Sequence, residues 1–174
     1  MNFFELFEMP VSLQVDKKYL QHKYFELQKK YHPDFFSNES KEEQADVLEK
    51  SSLINTAYKT FQNDDDTIKY VLQLKELQEE EEKYQLPPDF LMEMMELNEA
   101  LMEVDDSSLE EIETRISQLQ KHLYVKVQNI IEYYNEDTTT DEQLLQVKDY
   151  YYKKKYLNRI LERLDGLRNI ASQN

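Results

Sequence analysis

The chain has 174 residues, 40% of them hydrophobic and 33% charged, with one Gly, four Pro and no Trp. That balance allows packed cores in one or two modest domains, favours long helices and disfavours a β-sandwich. The absence of cysteine excludes disulfides, thiolate zinc sites and thiolate ligation of a metal cluster, and a net charge of −15 argues against general binding of nucleic acid.

No apolar stretch reaches the roughly eighteen residues of a membrane span. The amino terminus enters its first helix without an Arg-rich or secretory leader, so a soluble cytosolic protein of bacterial type is expected. Charge is uneven along the chain. Residues 1–75 carry 10 Lys+Arg against 13 Asp+Glu, net −3, whereas residues 76–174 carry 11 against 23, net −12. Two surfaces for two different partners are the expectation.

In chain order, Asn2-Phe3-Phe4-Glu5-Leu6-Phe7-Glu8-Met9-Pro10 reads as a short apolar helix over 3–8, with an Asn cap and a Pro stop. A second helix is predicted over 16–31, with Asp16 as its cap. Leu20, Tyr24, Leu27 and Tyr31 form its apolar stripe, while Lys18, His22 and Lys29 point the opposite way and Lys23 and Lys30 lie on the flank. Pro33 lacks an amide hydrogen and disfavours helical geometry at His32, so this helix must end close to Tyr31. His32 to Ser40 is then an exposed loop, in which Phe35 and Phe36 are expected to tuck back onto the helix pair. A third helix over 41–61 buries Ile54, Ala57, Tyr58 and Phe61. Asn63 to Asp66 forms a turn that caps a fourth helix, 66–77, carrying Ile68, Val71, Leu72 and Lys75.

A cationic helix that terminates in an imidazole, a rigid ring and a carboxylate is a docking surface. His32-Pro33-Asp34, with the helices before and after it, resembles the HPD signature and helix order of the J-domain family, co-chaperones that stimulate ATP hydrolysis by DnaK-type chaperones. The resemblance implies a J-domain over 1–75, an antiparallel helical hairpin with an HPD loop. It also implies a chaperone-binding face of Lys18, His22, Lys23, Lys29, Lys30, His32, Pro33 and Asp34.

Residues 76–88 include Glu79-Glu80-Glu81-Glu82 and Pro87-Pro88, and read as an acidic linker or frayed helix end. Three long helices follow. The first runs from about Asp89 to Val104. The second starts near Ser107-Ser108, where Glu110 and Glu111 suggest a capping box, and carries Leu109, Ile112, Ile116, Leu119, Leu123, Val127, Ile130 and Tyr134. The third spans about Asp141 to Ile170, after a polar turn over 135–140. Short connections make neighbours antiparallel, so 89–174 is expected to be a three-helix bundle in an all-α protein. The run from Tyr150 to Lys155 reads as a solvated helix face.

The first bundle helix has two apolar faces. At 100° per residue, Phe90, Met94, Leu97, Leu101 and Val104 share one, enough to pack against two neighbours. Leu91, Met95 and Met102 fall more than 90° away, and Met92, Glu96, Glu99 and Glu103 continue around that outer side. An apolar strip bordered by carboxylates is either an interaction site or is covered by the linker or the J-domain.

From end to end the chain resembles the HscB family, J-type co-chaperones of iron–sulfur cluster biogenesis. Leu6-Phe7 stands where most J-domains have Leu-Gly, and Ile54-Asn55-Thr56-Ala57-Tyr58 resembles the family's third-helix signature. The stretch from Phe90 to Leu97 resembles its scaffold-binding helix. The resemblance implies two partners, a DnaK-type (HscA-like) chaperone and an iron–sulfur cluster scaffold (IscU-like). The scaffold would meet Leu91, Met92, Met95, Glu96, Glu99, Glu103 and Tyr152. It implies no catalytic residue, no metal site and no cofactor, and neither a nucleic acid nor a membrane as partner.

Other classes are a generic J-protein with a different client, a purely structural helical adaptor, and an enzyme. None of His22, His32 and His122 lies three residues after a Glu, as a di-iron carboxylate bundle requires. Gly166 is the sole glycine, so no phosphate-cradling Gly-rich loop exists.

Overall fold

A computed structural model describes residues 1–173, with Ala171 described in its backbone only. No strand occurs among them. The chain divides into two units, Met1–Glu76 with Tyr134–Thr138, and Leu77–Tyr133 with the chain from Thr139 onward.

In the first unit, α1 (Phe3–Leu6) opens on a capping box in which Asn2 accepts from the Glu5 amide and Glu5 accepts from the Asn2 amide, both at 2.9 Å. Asp16 caps α2 (Lys17–Lys30) by accepting from the amides of Lys18 and Tyr19. The helix stops at Tyr31, as Pro33 demands, and Pro33–Phe36 form one 3₁₀ turn. Ser40 and Glu43 box the start of α3 (Lys41–Gln62), and Asn63 caps α4 (Asp64–Leu74).

Helices α2 and α3 run antiparallel. Lys17 donates to the Phe61 carbonyl, Tyr24 stacks on Tyr58 at 3.9 Å and donates to Asn55, and the Lys50 ammonium sits 4.6 Å from the Tyr31 ring. The rings of Phe3, Phe4, Phe7 and Tyr70 surround Phe61 at 4.6–6.2 Å. Phe7, at the position where most J-domains have glycine, is fully buried and fills this cluster. The fully buried rings of Phe4, Phe7 and Phe61 contribute about 2–3 kcal/mol each, which fixes the hairpin that carries the 32–34 turn. Phe35 departs from expectation. It is 71% exposed and lies beside His32 at 5.7 Å, because the short turn carries it away from the hairpin core.

The second unit holds α5 (Pro88–Met102), α6 (Leu109–Val125), α7 (Gln128–Glu132) and α8 (Asp141–Ala171). Pro88 occupies the first helical position of α5, where a missing amide hydrogen costs nothing. Phe90, Met94, Leu97 and Leu101 meet Ile112, Ile116, Leu119 and Leu123 of α6 and Leu144, Val147, Leu157, Ile160 and Leu164 of α8 in one core. Val104 lies beyond the end of α5 and is half-buried.

Four local expectations are corrected. Ser108 makes no side-chain cap, because its hydroxyl turns back to the Asp105 backbone, accepting from the amide at 3.1 Å and donating to the carbonyl at 3.2 Å, while the Asp105 carboxylate accepts from the Ser107 hydroxyl (2.7 Å) and the Ser108 amide (2.9 Å). These bonds hold the Asp105 carboxyl below its ordinary range. The long second helix breaks at Lys126–Val127, and the break advances the buried phase by one residue, so that Ile131 is buried and Ile130 half-buried. The segment read as linker or frayed helix end is non-helical over 77–87 and is bound to α8. The run Tyr150-Tyr151-Tyr152 is buried rather than solvated.

The last two corrections share a cause at Tyr152, whereas Tyr150 is buried on another side of α8, beside Tyr124 of α6 at 6.1 Å. Glu79 pairs with Lys148 at 2.6 Å, and Glu81 pairs with Lys155 at 3.1 Å and with Arg159. Tyr84 stacks on Tyr152 at 4.3 Å and donates to Asp149 at 2.7 Å. Glu79 and Glu81 are thus paired with cations of α8, and the segment that carries them covers Tyr152. Burial, reinforced by Asp149, pushes the Tyr84 phenol well above its ordinary value.

Candidate functional site

Each unit presents one face whose chemistry its own packing does not use. On α2, Leu20, Leu27 and the stacked Tyr24 turn inward, which leaves Lys18, His22 and Lys29 exposed along the opposite side. Lys30 is exposed on the flank. Lys23, expected on the same flank, is a correction: it is 5% exposed, its ammonium held by Glu8 at 2.6 Å and Glu26 at 3.1 Å. The Glu8 bond outweighs burial and holds the Lys23 amine above its ordinary value, while Lys23 draws the Glu8 carboxyl down. Lys23 thus ties α2 to the end of α1 and offers no free charge to a partner.

One residue on this face was missed. Phe25, 55% exposed, lies among Lys18, His22 and Lys29 within an arc of about 60°. Plotting the sequence at 100° per residue places it there, but an aromatic among lysines looks like an ordinary helix residue when only the apolar stripe is traced.

The turn after α2 is small and ordered. The His32 Nδ1 accepts from the Asp34 amide at 3.3 Å, which leaves Nε2 as the donor nitrogen of the neutral ring. The same Nδ1 is 3.6 Å from the Asp34 carboxylate, close enough to pair when the ring is protonated. The Asp34 side chain is 86% exposed and that of His32 48%. Pro33, exposed between them, fixes the backbone. Behind the turn, the Lys50 and Lys30 ammonium groups flank the Tyr31 ring; burial alone would raise its phenol, but the two cations outweigh burial and hold it below its ordinary value.

On α5 the outer side is open. Leu91 is 37%, Met92 64%, Met95 60% and Met102 80% exposed, and Glu96, Glu99 and Glu103 are exposed beside them. Within the second unit, neither the 77–87 segment nor another helix covers this ridge. Arg115 of α6, the sole basic residue between Tyr84 and Gln120, reaches Glu96 at 3.2 Å and ties one edge of the ridge to its neighbour. Its isolation in an acidic stretch is the signal that could have found it. Tyr152 does not stand on the ridge. It is 3% exposed beneath the 77–87 segment, its hydroxyl accepting from the Glu79 amide at 3.1 Å and donating to the Glu79 carbonyl. Its ring lines the floor of a cleft of about 540 Å³ shared with Tyr84, Leu86 and Tyr156.

No group of His, Asp or Glu among the described residues is arranged to hold a metal ion, and no helix among them is long and apolar enough to cross a membrane.

Comparison with known proteins places these faces in context. Residues 86–165 match the family described as the HSCB C-terminal oligomerisation domain. A co-chaperone protein HscB homolog of Vibrio cholerae is 32% identical over 134 residues, covering 74% of this chain and 78% of the relative. The iron-sulfur cluster co-chaperone protein HscB of Homo sapiens is 32% identical over 165 residues, covering 94% of this chain and 67% of the relative. The crystal structure of human co-chaperone protein HscB superposes with a TM-score of 0.80 at 31% identity, covering 98% of this chain and 83% of that one. Chaperone HscB from Vibrio cholerae gives a TM-score of 0.75 at 25% identity, covering 97% and 98%. The fold is an N-terminal J-domain followed by a C-terminal helical bundle. The chain belongs to the HscB co-chaperone family.

Proposed function

We propose that this chain, without chemistry of its own, stimulates the ATPase of a specialised DnaK-type (HscA-like) chaperone in the bacterial cytoplasm and delivers to it an iron–sulfur cluster scaffold (IscU-like). The single observation that carries the first half is the exposed His32-Pro33-Asp34 turn standing at the end of the basic arc of α2. Lys18 and Lys29, with His22 between them as a hydrogen-bonding group, steer the arc onto an acidic patch of the chaperone by opposite charge. The open Asp34 carboxylate then accepts a two-pronged bond from a chaperone arginine, a contact worth about 1.5–3 kcal/mol that biases the chaperone toward hydrolysis. The ridge of Leu91, Met92 and Met95, rimmed by Glu96, Glu99 and Glu103, supplies the scaffold contact. Residues 1–75 serve the first partner and 89–174 the second.

His32→Gln tests the division. Steady-state ATPase assays are expected to show stimulation lost, while calorimetric titration shows scaffold affinity kept. Normal stimulation by this variant would refute the role given to the turn.

A further inference from the structure

The basic arc of α2 contains one residue out of keeping with a solvated charged face. Phe25 lies among Lys18, His22 and Lys29, and more than half of its surface is open. It is also held in place. Tyr24 stacks on Tyr58 at 3.9 Å and bonds to Asn55, and the Phe25 ring rests tilted against Tyr24 at 5.8 Å. A ring fixed in that way loses little freedom when a partner covers it, and its apolar area gains only from such covering. The cations on either side require that the covering surface be acidic.

We propose that Phe25 is the apolar anchor of this face. It enters a depression on the DnaK-type chaperone whose rim carries carboxylates, and Lys18 and Lys29 pair with that rim. The proposal rests on the reading that α2 docks on such a chaperone. It divides the labour within the arc. Exposed charges govern the rate of encounter and are screened by salt, whereas the covered ring governs the lifetime of the complex and is not.

The test is a titration of ATPase stimulation at about 0.05 M and about 0.3 M salt, where the screening length falls roughly two-fold. It uses the full-length chain, the DnaK-type chaperone of the same organism, and the variants Phe25→Ser, Phe25→Leu and Lys29→Ala. Phe25→Ser is expected to raise the half-maximal concentration about tenfold at both salts with the same plateau. Phe25→Leu is expected to stay within about threefold, and Lys29→Ala to lose most at low salt. Melting temperatures should fall by only a few degrees, because Phe25 lies outside the core and only the inner part of its ring is lost. If Phe25→Ser matches the wild type while Lys29→Ala weakens, the anchor falls and the docking face stands. If the wild type gives no stimulation, both fall. A lowered melting temperature that accounts for the loss in Phe25→Ser also overturns the anchor.

Discussion

Replacement of Leu91, Met92 and Met95 by alanine together separates folding from binding on α5. The three are 37%, 64% and 60% exposed, so they present roughly one and a half side chains' worth of apolar surface to a partner. At about 2 kcal/mol for covering a whole Leu or Met side chain, burial of that surface is worth about 3 kcal/mol. Loss of it corresponds to roughly two powers of ten in Kd. Folding should suffer less, because the core residues Phe90, Met94, Leu97 and Leu101 are untouched and only the inner portions of the three side chains are lost. A drop of about 1–2 kcal/mol in unfolding free energy is expected, with helix content retained. The assay is isothermal titration calorimetry with the iron–sulfur scaffold protein, alongside circular dichroism of the variant. An affinity within threefold of wild type in a folded variant would refute the reasoning, since such a ridge would then contribute nothing to the contact.

Tyr152→Phe removes a hydroxyl that makes two bonds to the Glu79 backbone. At about 1 kcal/mol each, with water replacing part of the loss at the exposed Glu79, urea unfolding should show a decrease of about 1–2 kcal/mol with scaffold affinity unchanged. A fall in affinity without a fall in stability would make Tyr152 a contact residue instead. Lys23→Met retains an apolar stem in a nearly closed site and releases Glu8 and Glu26, both largely exposed, to water. Stability is expected within about 1 kcal/mol of wild type and ATPase stimulation within twofold. Collapse of stimulation in a stable variant would return Lys23 to the docking face.

Helix ends were legible wherever one residue's chemistry decides them. Asn2, Asp16 and Asn63 each accept an amide at a helix start, and Pro33 ends α2. The caps at Ser40 and Thr140 fall in segments that read from sequence only as loop and turn. Buried positions such as Leu20 and Leu27, and Ile54, Ala57 and Phe61, followed from period alone, with Tyr24 and Tyr58 half-buried beside them. Competition between residues was not legible. Ser108 looked like a cap, but its hydroxyl is engaged by the Asp105 backbone and its amide by the Asp105 carboxylate. The break at Lys126–Val127 has no Pro or Gly to announce it, and a stripe that spans it reads as continuous until the phase slips. Most instructive are Glu79–Glu82 and Tyr150–Lys155. Each looks like a solvated run by itself, and only a pairing across about seventy residues of sequence turns one into the cover of the other. Lys23 shows the same limit on a smaller scale, since its burial depends on the chain after α1 returning Glu8 to it.

The carboxylates beside the α5 ridge constrain what can cover it. Four apolar side chains left open on one helix form a sticky strip, and a second copy of the same strip is its simplest occupant. Such a pairing would bring Glu96, Glu99 and Glu103 of one copy against the same residues of the other as water is withdrawn. Like charges brought together in that way cost more than exposed opposite pairs return. Arg115 pairs with Glu96, and Arg163 of α8 reaches α5 at Asn98 (2.8 Å) rather than at Glu99 or Glu103. The ridge is therefore set against itself and suited to an apolar patch with a cationic rim, so its affinity for a scaffold should weaken with added salt although the contact at its centre is hydrophobic.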